Sequence, residues 1–113
     1  MEEDSILNYV KKALGIQPDF THFDPELIMF INGTFSTLHQ LGVGPEHPFE
    51  ISSADDLWEA FIQTETELNS VKTYVYLKVK LLFDSPATSH ARTSLQDMAK
   101  ELEWRLNVAS ERG

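Results

Sequence analysis

Cysteine is absent from this 113-residue chain, which excludes a disulfide framework and a thiolate metal site and leaves stability to packing. Long apolar runs are missing too. No stretch approaches the ~18 residues needed to cross a bilayer, and Met1, Glu2, Glu3 and Asp4 make an acidic start where a signal peptide is basic. Neither a membrane span nor export is expected. Basic residues are scarce: nine Lys and Arg stand against 18 Asp and Glu, for a formal net charge of −9. Such a surface repels phosphate instead of releasing counterions from it, so a grip on DNA or RNA is disfavoured. The plain consequence of the charge is solubility, and the sharper one is that DNA can pass nearby without sticking.

Catalytic signatures are also lacking. There is no P-loop, no dinucleotide-type glycine pattern and no HExxH. The four histidines, His22, His39, His47 and His90, fall in separate segments without the i, i+4 spacing of metal sites. They read as surface or helix-end residues. Gly42, Gly44 and Pro45 lie in LGVGP, but a phosphate-cradling loop needs more glycines and usually a lysine before a helix, so this is a helix stop and turn. Asp55, Asp56, Glu65 and Glu67 read as an exposed acidic face. No enzyme activity, metal or cofactor is expected, and the work of the chain is expected to be binding other proteins.

What is present is helix punctuation. Hydrophobic residues at 42% and charged residues at 24% are ordinary for a globular protein. A chain of this length buries about two-thirds of its unfolded surface. With no repeat and no linker, residues 1–113 are expected to form one domain. Asp4 or Ser5 can cap a first helix carrying Ile6, Leu7, Val10 and Leu14, stopped by Gly15. Asp24 can cap a second, with Pro25 at its first position and Leu27, Ile28, Ile31, Phe35, Leu38 and Leu41 at helical steps up to Gly42. Gly33 inside it marks either close packing or a break. Residues 43–53, VGPEHPFEISS, have no helical period and form an ordered surface loop. Ser53 and Asp56 resemble a weakened capping box ahead of a third helix with Leu57, Trp58, Phe61 and Ile62 on one stripe.

Residues 71–83 carry two patterns. Val71, Thr73, Val75, Leu77, Val79, Leu81 and Phe83 alternate as in a strand. The run exceeds ordinary strand length, has no internal turn residue and follows the helix-favouring TETELNS, so a helix is the stronger expectation and a strand the alternative. As a helix it places Val71, Tyr74, Val75, Leu81 and Leu82 on one side, with Lys78 near the stripe. Asp84, Ser85 and Pro86 end it. A long last helix follows from about Ser89, with Ala91, Leu95, Met98, Leu102 and Leu106 inward and Arg92, Lys100, Glu101 and Glu103 on the solvated side. Trp58, Phe61, Tyr74 and Tyr76 are expected in the core. Trp104 lies off the last helix's stripe beside Arg105, and either packs in the core or contacts a partner. The fold class is all-α, a small bundle of four to five helices with a long carboxy-terminal helix and an ordered loop near residues 43–53.

Three stretches together, ILNYVKKALGI with DPELIMFINGTFSTLHQLGVG, VKTYVYLKVKLLFDSP, and MAKELEWRLNV, resemble the head-tail connector proteins of long-tailed double-stranded DNA phages, also called adaptor or head-completion proteins. The resemblance covers most of the chain and rests on helix lengths, apolar spacing and an LFD-x-P type turn. It implies a structural protein of the virion neck, made in the bacterial host cytoplasm. Such proteins form a ring, usually a dodecamer, under the portal, linking head to tail and extending the DNA channel. The implied partners are the portal protein, neighbouring copies of the chain and a tail-side neck or stopper protein. Double-stranded DNA would pass through the lumen without specific binding, and no membrane is involved. Carried onto this sequence, the resemblance assigns Glu103, Trp104, Arg105, Leu106, Asn107 and Val108 to portal contact. It assigns Val43, Glu46, His47, Phe49 and Glu50 to neighbouring subunits or tail components. The rival from composition alone is a small acidic regulator or DNA-mimic inhibitor of a basic protein.

Overall fold

Ser5 starts the fold. Its hydroxyl accepts the Asn8 N–H at 3.2 Å, capping α1 (Ile6–Ala13), and donates to the Ala54 carbonyl at 2.7 Å. Asp4, the other candidate cap, lies outside the described residues, because the computed structural model describes residues 5–62 and 65–112. Ile6, Leu7 and Val10 face the core, and Gly15 at φ +82° takes the left-handed turn that ends the element.

The second helix, α2 (Asp24–Gln40), begins where Pro25 predicts, yet Asp24 does not cap it. Phe23 holds the capping position without a side-chain bond, while the Asp24 carboxylate meets Lys11 Nζ at 2.8 Å. Lys11 is only 1% exposed and also donates to the Pro18 carbonyl at 2.9 Å. A buried ammonium without a counter-charge costs more than a lost cap, which is why the carboxylate goes to the lysine. Gly33 sits in unbroken helix with open space where a Cβ would lie, so neither close packing nor a break is realised there within the chain.

The expected third helix is a single turn, α3 (Trp58–Phe61). Asp56 accepts the N–H groups of Ser52 at 2.7 Å and Ser53 at 3.1 Å, so the presumed capping box closes a turn instead. Leu57 is extended and pairs with Ser5 in an isolated antiparallel bridge, which keeps the helix from starting earlier.

Residues 71–83 are helical throughout, within α4 (Glu65–Phe83). Thr64, the first residue of TETELNS, lies outside the described residues. α4 packs against α1, α2 and α5, so its buried arc is wide: Val71, Tyr74, Val75, Leu77 and Val79 are all buried. A helix buried on several sides mimics alternation. The strand alternative fails at Thr73, which is exposed and bonds the Asn69 carbonyl one turn back. Leu82, expected inward, is exposed because it lies beyond that arc.

The last helix, α5 (Ser89–Arg112), begins with Thr88 accepting the Ala91 N–H at 3.2 Å. Its inner face is rotated slightly from the expected stripe. Ala99 is buried where Met98 was expected, and Arg92 and Glu103 are half-buried instead of solvated. Among the described residues the structure is five helices and no strand, around one core that runs from Ile6 to Leu106. Tyr76 packs at the margin of that core.

Candidate functional site

The carboxyl half of α5 has two sides. On the inner side, Leu106 is buried, Asn107 donates to the Leu41 carbonyl at 3.2 Å, and the Ser110 hydroxyl lies 2.9 Å from the same oxygen. Leu41 is the last residue of α2's cap, where carbonyls lack helical partners, so α5 supplies what the helix end needs. Glu103 accepts the Tyr74 hydroxyl at 2.7 Å and lies 4.0 Å from Lys78. That explains a lysine beside α4's apolar arc. Burial first, then the bond to Glu103 and its charge, push the Tyr74 hydroxyl far above the ordinary phenol range. Val108 is half-buried.

The outer side is open. Trp104 is 68% exposed, which overturns core packing for it, and Arg105 beside it is exposed and meets Glu101, one turn back, at 2.9 Å. Of the six α5 candidates, Trp104 and Arg105 are therefore free to meet another surface. Glu103, Leu106 and Asn107 are engaged inside the fold.

The loop after α2 divides similarly. Val43 is buried, and Phe49 stacks edge-on to Phe35 and Phe61 at centroid distances of 5.1 and 5.2 Å. Glu46, His47 and Glu50 are exposed. Asn32 holds the far end of the loop with both halves of its amide, donating to the Ile51 carbonyl at 3.0 Å and accepting the Ile51 N–H at 2.7 Å. Sequence reasoning missed this clamp. An asparagine directly after the apolar run of residues 27–31 was the available signal, since a half-buried amide needs partners.

Loop and helix meet in a cleft of about 470 Å³. Val43, Gly44 and Pro45 line it together with Leu106, Ala109 and Ser110, and Glu59 and Glu67 add carboxylates. The Ser110 hydroxyl is committed to backbone carbonyls, and among the described residues no histidine or lysine lines the cleft to activate it. Among the described residues no group of His, Asp or Glu is placed to hold a metal ion, and no helix is long and apolar enough to cross a membrane. The arrangement offers contact surfaces: an exposed Trp–Arg pair and an acidic loop braced at both ends.

No curated protein and no solved structure matches the chain. A family model does, that of the phage connector proteins, over residues 6–113. It thus takes in every helix of the bundle and both candidate surfaces, and the chain belongs to the phage connector protein family.

Proposed function

We propose that this connector forms a dodecameric ring beneath the portal of its phage, and that the outer side of α5 docks on that portal. Family membership makes it a structural component of the phage neck, where portal and other neck components are the partners. The observation that carries the docking surface is Trp104. A large aromatic stands in solvent beside an arginine, on a helix whose other side is pinned through Leu106, Asn107 and Ser110. Tryptophan and arginine dominate interface hot spots, and a helix already held in place loses little freedom on docking.

The charge fits a conduit. A dodecamer at −9 per copy carries on the order of a hundred negative charges, and any part of that facing a lumen repels DNA and keeps it moving. The exposed loop residues Glu46, His47 and Glu50 are then available to neighbouring copies or to a tail-side stopper protein. Mixing the purified chain with the portal ring and measuring particle size tests the proposal. The expected result is a complex with many copies per portal. A one-to-one complex with a basic enzyme, and none with the portal, would favour the acidic regulator instead.

A further inference from the structure

Lys12 and Lys72 line one groove of about 910 Å³ with Asn8, Tyr9, Ile16 and Gln17, between α1, the turn that follows it and α4. Among the described residues no Asp or Glu lines it. On a chain with twice as many acidic as basic residues, such a surface departs from the rest. Four other bases are used internally: Lys11 meets Asp24, Lys78 meets Glu103, Lys80 meets Asp84 and Arg105 meets Glu101. Among the described residues neither Lys12 nor Lys72 is paired with a carboxylate.

Lys72 is also held in place. Its Nζ lies 5.3 Å from the ring centroid of Tyr9 and 5.9 Å from that of Trp58, where aromatic faces attract a cation. An ammonium restrained in this way loses less freedom when a carboxylate arrives. Asn8, Tyr9 and Gln17 supply hydrogen-bond donors beside it, and Ile16 and Pro18 supply apolar surface. Two cations, neutral donors and an apolar floor suit an acidic peptide segment.

The chain itself carries such a segment. Residues 43–59 contain Glu46, Glu50, Asp55, Asp56 and Glu59 and no Lys or Arg. Glu46 and Glu50 are exposed on the loop that Phe49 and the Asn32 clamp hold in shape, so little ordering is required for it to bind. The groove adjoins the amino end of α2 through Lys11, whereas the loop leaves its carboxyl end, about 25 Å away along the helix.

We propose that Lys12 and Lys72 of one copy receive Glu46 and Glu50 of the next, so that groove and loop form the contact between neighbouring subunits. This rests on the ring reading above. Groove and loop are different surfaces, so the contact is heterologous: each copy offers one of each, and repetition carries the chain of contacts around a ring instead of closing a pair.

Charge exchange tests it, with assembly of the full-length protein followed by sedimentation, alone and on portal rings, at low salt. Lys12→Glu with Lys72→Glu is expected to weaken assembly at least about tenfold, Glu46→Lys with Glu50→Lys to do the same, and all four together to restore it. Lys12→Glu alone, at an exposed position, guards against a folding effect of Lys72, and circular dichroism checks each variant. Unchanged assembly in either reversed pair would overturn the contact, as would failure of the fourfold variant to recover, which would mean that another acidic partner fills the groove. Wild-type protein that assembles neither alone nor on the portal would overturn the ring reading itself.

Discussion

The Tyr74 hydroxyl donates to Glu103 at 2.7 Å, joining a fully buried ring of α4 to a carboxylate on α5 that is one-third exposed. Lys78, 4.0 Å from the same oxygen, completes a polar set on an otherwise apolar helix interface. Apolar contact alone lets two helices slide by small amounts. A directional bond from a buried phenol fixes one alignment, and with it the presentation of Trp104 on the next position of α5.

Stability is expected to fall at alkaline pH partly through this bond. Tyr74 holds its proton more tightly in the folded chain than its ordinary value of 10.0, first by burial and then through Glu103. The unfolded chain releases that proton above about pH 10 while the folded chain keeps it, so the contribution is complete below that pH and is lost as pH rises further. Tyr9 is shifted the same way, by burial and by Tyr76. Tyr74→Phe should cost about 1 kcal/mol at neutral pH and flatten the alkaline decline. Denaturant titrations of both proteins at neutral and alkaline pH measure it; equal slopes would remove Tyr74 as the cause.

Helix starts and stops marked by Ser5, Gly15, Pro25, Gly42 and Pro86 were legible because each acts through its own backbone or first-turn chemistry. The misses at Asp24, Glu103 and Trp104 depend on partners distant in sequence. Asp24 looked like a cap because nothing local reveals a lysine buried 13 positions earlier. Glu103 looked solvated because its partner Tyr74 lies on another helix, 29 residues away. The exposure of Trp104 was open for the same reason: helical phase places it off the stripe, but only the packing of α5 on α4 decides which side the core takes. The Asn32 clamp on Ile51 shows the same limit for the loop.

Lys11 should be among the most sensitive polar positions. Its ammonium joins α1 to Asp24 of α2 and to the Pro18 carbonyl of the intervening turn. Lys11→Ala leaves both acceptors without their donor and is expected to cost about 3 kcal/mol. Lys11→Met combined with Asp24→Asn removes both charges and retains the apolar stem, so it should recover part of that loss. Chemical denaturation of the three proteins checks the order; a double variant no more stable than Lys11→Ala would show that the ion pair itself is not the issue.

Two glycines predict opposite signs. Gly33 is helical with nothing near its missing Cβ, so Gly33→Ala should stabilise the isolated chain by about 1 kcal/mol, or roughly 4–6 °C in melting temperature. At Gly44, φ is +94° and a Cβ would stand 2.5 Å from the Phe61 ring. Phe61 is buried against Phe35 and Phe49, so moving its ring disturbs that packing and the left-handed backbone is strained besides, and Gly44→Ala should cost about 2–3 kcal/mol. Thermal melts followed by circular dichroism decide both.

Trp104→Ala separates a docking residue from a structural one. At 68% exposure the indole gives little to the core, so the variant should melt within a few degrees of the parent and keep its helix content. If the outer side of α5 meets the portal, the loss of a hot-spot tryptophan should weaken association by about 2 kcal/mol, roughly thirtyfold. Arg105→Ala should act in the same direction and more weakly, because Glu101 already holds part of its guanidinium in the free protein. Leu106→Ala gives the contrast: it opens a cavity in the core and should lower stability by about 2–5 kcal/mol, with any change in portal binding following from that. Binding measured on immobilised portal rings, alongside melting curves, tells the patterns apart. Undiminished binding by Trp104→Ala would move the docking surface off α5.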